Sequence, residues 1–343
     1  MYKNILIVKL SAIGDVIHAL PVASAIKAHY PQARVSWIVE KPAYDILENN
    51  PNIDEIIVFD KAKFKSFGGF FANIGQLSKI LKSHQYDLAL DLQGLFKSAA
   101  IAWLSGAKTR LVYCNAREMS HLISDRVCGN HSEGHVVEKY LDVARYLGCT
   151  VDGGEFAISF TQDDADKSIR IACHAGLDLN HKFIVLAPGT NWSTKCWPTD
   201  HYAQLVDLLY GQNFIPVIVG GRHDQRLYEQ IAAKTQVPPI NLTGCTSLKQ
   251  LAYITKQASA FVGGDTGPMH LAAAVNTRVV ALFGPTDPKR NGPYGGHHII
   301  LTSPAQCTGC WKRNCEKDCM VMINPLQVFE ALQRILPCEV KGG

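Results

Sequence analysis

The sequence predicts an α/β protein built of two Rossmann-like halves, and three observations carry that expectation. Short apolar runs such as "NILIVKL" and "HKFIVLAPG" show little polar alternation, the pattern of strands buried on both faces of a parallel sheet. Segments with helical spacing separate these runs, as βαβ connections require. The same alternation occupies both halves of a 343-residue chain, long enough for two full-sized cores.

In the first half, strands are expected at "NILIVKL", "RVSWIVE", "EIIVF", "LALDL" and "TRLVY", with helices from Asp15 to about His29 and from Phe71 to His84. The pattern changes between Phe160 and His181, where "TQDDADKSIRIACHAGL" reads as one capped helix. This places the boundary between domains 1–160 and 161–343. Strands then follow at "HKFIVLAPG", "FIPVIVGG", "PPINLTG", "AFVGGD" and "RVVALFG". A last helix in "NPLQVFEALQRIL", from Asn324 to about Leu336, is expected to pack back toward the first domain. The cleft between the two halves is the default ligand site.

Composition narrows the function classes. With 47% hydrophobic and 19% charged residues the chain reads as globular, and Lys plus Arg exceed Asp plus Glu only by 34 to 30, which argues against nucleic acid as a partner. No apolar run approaches the ~20 residues that span a bilayer, and Lys9 and Asp15 interrupt the N-terminal apolar stretch, unlike a signal peptide. A cytoplasmic protein is expected. Eleven cysteines are too sparse for a disulfide scaffold.

The most specific stretch is "FVGGDTGPMHLAAAV". A buried strand runs through Gly263 and Gly264 into Asp265, Thr266 and Gly267, and Pro268 opens a helix, whose free N–H groups form a phosphate cradle. His270 falls in the first turn, where it could bond a phosphate or sugar oxygen. The alternative is that Asp265 and Thr266 only cap the helix while His270 packs. A second strand end, "LAPGTNWSTKCWP", offers Thr190 and Asn191 as donors and Lys195 as its one cation. Lys195 could neutralise a departing diphosphate, or be a plain solvated lysine.

"VKLSAIGDVIHALP" carries an acid where a dinucleotide fingerprint would need glycines. A carboxylate would repel phosphates, so Asp15 is read as a general base for an acceptor hydroxyl, with helix capping as an alternative or additional role. Asp164 and Asp166 form a D-x-D triplet but fall in a first helical turn, which favours acids without any metal; the expected chemistry is metal-free, with no cofactor. Lys61, Lys63, Lys65, Lys97 and Arg117 gather in the first half, either as a site for an anionic acceptor at a membrane surface or as a solvated basic loop. Cys307, Cys310, Cys315 and Cys319 could hold zinc or an iron–sulfur cluster, form disulfides or stay thiols, in any case for stability or partner contact.

Taken together, "SAIGDVIHALP", "APGTNWSTKCWP" and "GGDTGPMHLAAA" resemble the bacterial glycosyltransferase family that contains the lipopolysaccharide heptosyltransferases. The likeness covers nearly the whole chain, with the motifs in the family's order. It implies a GT-B fold and an inverting transfer of heptose from ADP-heptose to the anionic lipopolysaccharide inner core, at the inner face of the inner membrane. By the resemblance Asp15 is the base, Lys195 contacts the diphosphate, and Asp265, Thr266, Gly267 and His270 hold sugar and phosphate. Thr190, Asn191 and Thr246 would line the rest of the nucleotide. Two departures stand out: "GGRHDQ" has His223 or Asp224 where relatives place a nucleoside-binding glutamate, and the cysteine cluster lies outside the shared pattern. Other readings are a GT-B transferase for another nucleotide sugar and a non-catalytic binding protein on the same fold; the missing G-x-G-x-x-G counts against a nicotinamide dehydrogenase.

Overall fold

The computed structural model describes residues 1–64, 67–151 and 153–336, apart from the side chains of 64 and 67–72. The chain divides into two units, Met1–Ser159 and Phe160–Gly343. The first contains β1 (Asn4–Val8), α1 (Ile13–His29), β2 (Arg34–Glu40), α2 (Tyr44–Leu47), β3 (Glu55–Phe59), α3 (Phe67–Ser83), β4 (Leu88–Asp91), α4 (Phe96–Leu104), β5 (Thr109–Tyr113), β6 (Asp125–Val127) and α5 (Val136–Tyr146). Its six strands are parallel, in the order β3-β2-β1-β4-β5-β6.

The second unit contains α6 (Gln162–His174), β7 (Phe183–Ala187), α7 (Thr199–Tyr210), β8 (Ile215–Ile218), α8 (Gln225–Ala232), β9 (Ile240–Asn241), α9 (Leu248–Gln257), β10 (Ala260–Gly264), α10 (Gly267–Ala274), β11 (Val279–Phe283), α11 (Pro288–Asn291), β12 (Ile299–Thr302) and α12 (Pro325–Ile335). Its sheet, also parallel, runs β12-β11-β10-β7-β8-β9. Counted from its own first strand, each unit reads 3-2-1-4-5-6. The order reverses between the first and fourth strands, β1 and β4 in one unit and β7 and β10 in the other, and such a reversal opens a crevice at the strands' carboxyl ends.

Burial explains why the strands were readable. Every residue of β7, β10 and β11 is buried, as are four of the five in β1. In the second core Trp197 donates its ring N–H to Ile323 O at 2.9 Å and Tyr202 its hydroxyl to Ala187 O at 3.1 Å, so two large side chains are buried without stranding a polar tip. Two strands were not expected. β6 exposes two of its three residues and β12 two of its four, so neither carries the continuous apolar signal of a central strand.

Helix ends follow local chemistry. Thr161 and Asp164 form a reciprocal capping box at the start of α6, and Asp166 accepts from Gln162 Nε2 at 2.8 Å, so the D-x-D acids serve their own helix. α1 starts at Ile13, two residues before the expected Asp15, because Asp15 occupies the third helical position rather than the cap. Val328, Ala331 and Leu332 of α12 join Leu205 and Leu209 of α7 in the second unit's core. Among the described residues no helix is long and apolar enough to cross a membrane.

Candidate active site

The second unit's reversal point is shaped by glycines. A Cβ on Gly263 would come within 2.9 Å of the Phe261 ring and 3.2 Å of Ala187 O on β7, and one on Gly264 within 3.3 Å of Lys195 O. The pair therefore has a packing role of its own: it lets the loop after β7 lie against the end of β10. That close approach brings together residues 70 positions apart. Lys195 Nζ donates to Asp265 Oδ2 at 2.7 Å and to Asp265 O at 3.2 Å, and the other carboxylate oxygen lies 3.2 Å from His270 Nε2.

This arrangement disposes of the capping alternative. Thr266 is the N-cap residue of α10, yet its side chain makes no capping bond; its hydroxyl donates back to Gly264 O at 3.3 Å. The Asp265 carboxylate engages the Lys195 ammonium and the ring of His270, within α10, rather than the helix's first N–H groups. The first-turn N–H groups of α10, on Gly267 and Met269 since Pro268 has none, thus receive no side-chain cap among the described residues and lie beside an anchored cation. Lys195 is equally unlike a solvated loop lysine, its side chain being only 14% exposed and stacked 4.4 Å over the Trp192 ring. Burial opposes the charge on Asp265, but His270 and Lys195 outweigh it and hold the carboxyl well below the usual carboxylate range.

Other expected donor residues line the same edge. Thr190 donates to Trp192 O at 2.5 Å and sits 3.2 Å from Cys196 Sγ, while Asn191 is exposed. Thr246 is half-buried in the loop between β9 and α9. Asp224 is buried, accepts the Gly221 N–H at 2.7 Å and fills space that a side chain on Gly189 or Gly220 would need. His223 is the open member of the pair, 78% exposed.

One group of residues at this edge was not anticipated. Arg313 lies 4.8 Å from the centroid of the Trp192 ring that also carries Lys195; Trp192 meets Trp311 edge-on at 6.4 Å, and Trp311 carries Arg290 at 5.2 Å. Trp311 and Arg313 come from the cysteine-rich loop. Cys307, Cys310, Cys315 and Cys319 are free thiols, and no three metal-ligating side chains converge among the described residues. The loop is held by other means: Gly309 N–H donates to Gly284 O, Trp311 N–H to Pro285 O, and Thr194 Oγ1 to Lys312 O. The sequence signal was there in "NWSTKCW", "DPKRNGP" and "CWKRNC", but nothing local joins three segments so far apart along the chain.

The first unit's reversal point has a different character. Gln93, after β4, accepts the N–H groups of Leu10 and Ser11 through its side-chain oxygen, closing the loop after β1. Lys9 is buried there, donating to Leu92 O at 3.2 Å and to the Tyr140 hydroxyl at 2.8 Å, with Asp15 Oδ2 at 4.0 Å. Burial opposes the charge on Lys9; Tyr140, Asp15 and Asp91 outweigh it, so the ammonium is held protonated above its ordinary range. Asp15 itself accepts the Ala12 N–H at 3.4 Å and keeps 45% of its side chain exposed. It is an accessible carboxylate fixed over a buried cation.

Of the basic residues expected to meet an acceptor, Lys61 and Lys63 are exposed just after β3 and Arg117 is exposed after β5. Lys97 pairs with Glu40 at 2.7 Å over the Phe59 ring, so its charge is already balanced. Lys65 lies outside the described residues. All four described positions follow the carboxyl ends of β3, β4 and β5, the edge that carries Asp15.

A model of glycosyltransferase family 9 (heptosyltransferase) matches residues 74–321, more than half of the chain. The chain belongs to glycosyltransferase family 9. Its relatives include a lipopolysaccharide heptosyltransferase 3 of Escherichia coli, 29% identical over 96% of this chain and 98% of that protein, and the lipopolysaccharide core heptosyltransferase OpsX of Haemophilus influenzae, 28% identical over 88% and 84%. Among solved structures, a family 9 glycosyl transferase from Veillonella parvula superposes with a TM-score of 0.85 at 23% identity, covering 97% of both chains. The ADP-heptose heptosyltransferase II of E. coli gives 0.79 at 22%, over 97% and 98%. These likenesses establish the fold, and with it the GT-B class expected from the sequence.

Proposed function

We propose that this family 9 protein is an inverting glycosyltransferase that moves heptose from ADP-heptose to the anionic inner core of lipopolysaccharide. The observation that carries this reading is the uncapped amino end of α10 beside Lys195, itself anchored at 2.7 Å by Asp265. A diphosphate on those N–H groups gains the helix-end dipole and a fixed ammonium. The names of relatives supply the donor and acceptor: several are lipopolysaccharide heptosyltransferases, and one solved neighbour is a heptosyltransferase with ADP.

In this mechanism Asp15 takes the proton of the attacking acceptor hydroxyl while the bond from the sugar's anomeric carbon to the diphosphate breaks, its electron pair leaving with the phosphate oxygen. Lys195, Thr266, Gly267 and His270 hold the donor's phosphates and sugar, with Asp265 orienting Lys195 and His270. Thr190, Asn191, Thr246 and His223 lie along the nucleoside. Lys61, Lys63, Lys65 and Arg117, with Lys97 if Glu40 releases it, attract the acceptor at the cytoplasmic face of the inner membrane.

The test is direct transfer from ADP-heptose onto truncated core acceptors, beside a thermal-shift panel of ADP, UDP and GDP sugars. Transfer with ADP-heptose and stabilisation by ADP are expected. Stabilisation by UDP compounds alone would assign the site to a different nucleotide sugar, and no turnover with any donor would leave a binding protein.

A further inference from the structure

The anchored lysine leaves an electrostatic deficit. Lys195 and Asp265 sum to zero charge, yet the group expected beside them carries at least two negative charges and gains one more as it departs. Uncompensated cations nearby would have to meet that charge. Arg290 and Arg313 are such cations: their guanidinium groups lie over indole rings, and neither has a carboxylate partner among the described residues.

Their placement is built rather than incidental. Lys195 and Arg313 share the Trp192 ring, and Trp192 and Trp311 meet edge-on at 74°, carrying the chain of contacts on to Arg290. Trp311 adopts φ +59°, a left-handed conformation uncommon for any residue but glycine, and its N–H is tied to Pro285 O at 2.7 Å. The 2.9 Å bond from Thr194 Oγ1 to Lys312 O fastens the same loop to the turn that carries Lys195. The loops following β7 and β12 and the short helix α11 after β11 thus deliver one ammonium and two guanidinium groups to one edge of one sheet. Guanidinium is suited to this position because its planar fork matches phosphate oxygens while its face stacks on indole.

We propose that Arg290 and Arg313 bind the donor's diphosphate together with Lys195 and take up the charge that develops on it as the glycosidic bond breaks, with Trp192 and Trp311 as their positioning residues. The cysteine-rich loop, outside the shared motifs, thereby becomes part of the donor site. This rests on the donor reading above, and the probes are chosen to separate the two.

Inorganic pyrophosphate, ADP and adenosine are titrated against the wild-type chain and against R313Q, R290Q, the double variant and K195A, with kcat and KM measured where turnover exists. Each glutamine variant is expected to weaken pyrophosphate and ADP binding roughly ten- to hundredfold and to lower kcat comparably, with adenosine affinity unchanged. R313K, which keeps the charge but loses the fork, falls between. W311A follows R290Q, and W311F recovers most of the loss, which a collapsed loop would not allow. Wild-type pyrophosphate affinity and kcat in the double variant, with K195A impaired, overturn this inference and leave the donor reading intact. Pyrophosphate binding that depends on Arg313 without any ADP binding does the reverse. A wild-type chain that binds neither probe overturns both.

Discussion

Both units place a lysine in or after the loop that leaves the first strand, and an aspartate at the end of the fourth: Lys9 and Asp91 in one, Lys195 and Asp265 in the other. Topology is identical, and so are the charges, but the pairings differ. Lys195 meets Asp265 directly, and the carboxyl is held below its usual range. Lys9 is instead bonded to Leu92 O and the Tyr140 hydroxyl and faces Asp15, while Asp91 is pushed up to about 6 by burial, against the pull of the Gly94 and Gln93 N–H groups and of Lys9. One reversal point thus presents cations and bare helix N–H groups; the other presents a carboxylate. The lesson is that a shared strand order supplies only the crevice, and side-chain pairing decides which sign of charge faces it.

The largest expected effect tests the carboxylate side. Asp15→Asn keeps the shape and position of the side chain and removes its basicity, so kcat should fall by about 10²–10⁴ while ADP affinity stays within a factor of two or so. Turnover kept at the wild-type level would erase the contrast between the two units. Next comes the cationic side: Lys195→Ala leaves Asp265 buried with only His270 to oppose its desolvation, and should cost about 3 kcal/mol in urea unfolding as well as a ten- to hundredfold loss of ADP affinity. Loss of affinity without loss of stability would mean that the pair is held more loosely than its 2.7 Å separation indicates.

The parts of this contrast that were legible in the sequence are those fixed by neighbours along the chain. "GGDTGPMH" announces a strand, a tight loop and a helix because those features are local, and Asp15 was conspicuous for the glycines it replaces. Pairings were not legible. Asp265 reads from the sequence as a donor-site residue, with helix capping the alternative, but nothing local shows its partner; only the adjacency of β7 and β10 brings Lys195 to it. Lys9 looked like a charge interrupting an apolar run, yet it is among the most deeply buried side chains of the first unit, since Tyr140 is 131 residues away in sequence and 2.8 Å away in space. Lys97 was read with the acceptor cluster because nothing near it in sequence reveals Glu40. Trp192, Trp311, Arg290 and Arg313 escaped for the same reason.

The smallest expected effect sharpens the comparison most, because it separates the two buried acids by sign. Asp91 has a folded-state pKa of about 6 against an ordinary 3.8, so the folded chain holds its proton more tightly than the unfolded chain does. Its contribution to stability is therefore greatest below about pH 4, declines as pH rises through the window from about 4 to 6, and is flat above it. A shift of this size corresponds to about 3 kcal/mol. Asp265, shifted the other way, has the opposite dependence, with stability lost as pH falls below the ordinary carboxylate range. Asn at position 91 can still accept the Gln93 and Gly94 N–H groups through its side-chain oxygen but cannot ionise. Urea unfolding of wild type and Asp91→Asn at about pH 4 and about pH 7 should thus show the variant gaining on the wild type at the higher pH. A parallel pH dependence in the two proteins would mean that Asp91 is an ordinary ionised partner of Lys9, and that the two reversal points are electrostatically more alike than their hydrogen bonds indicate.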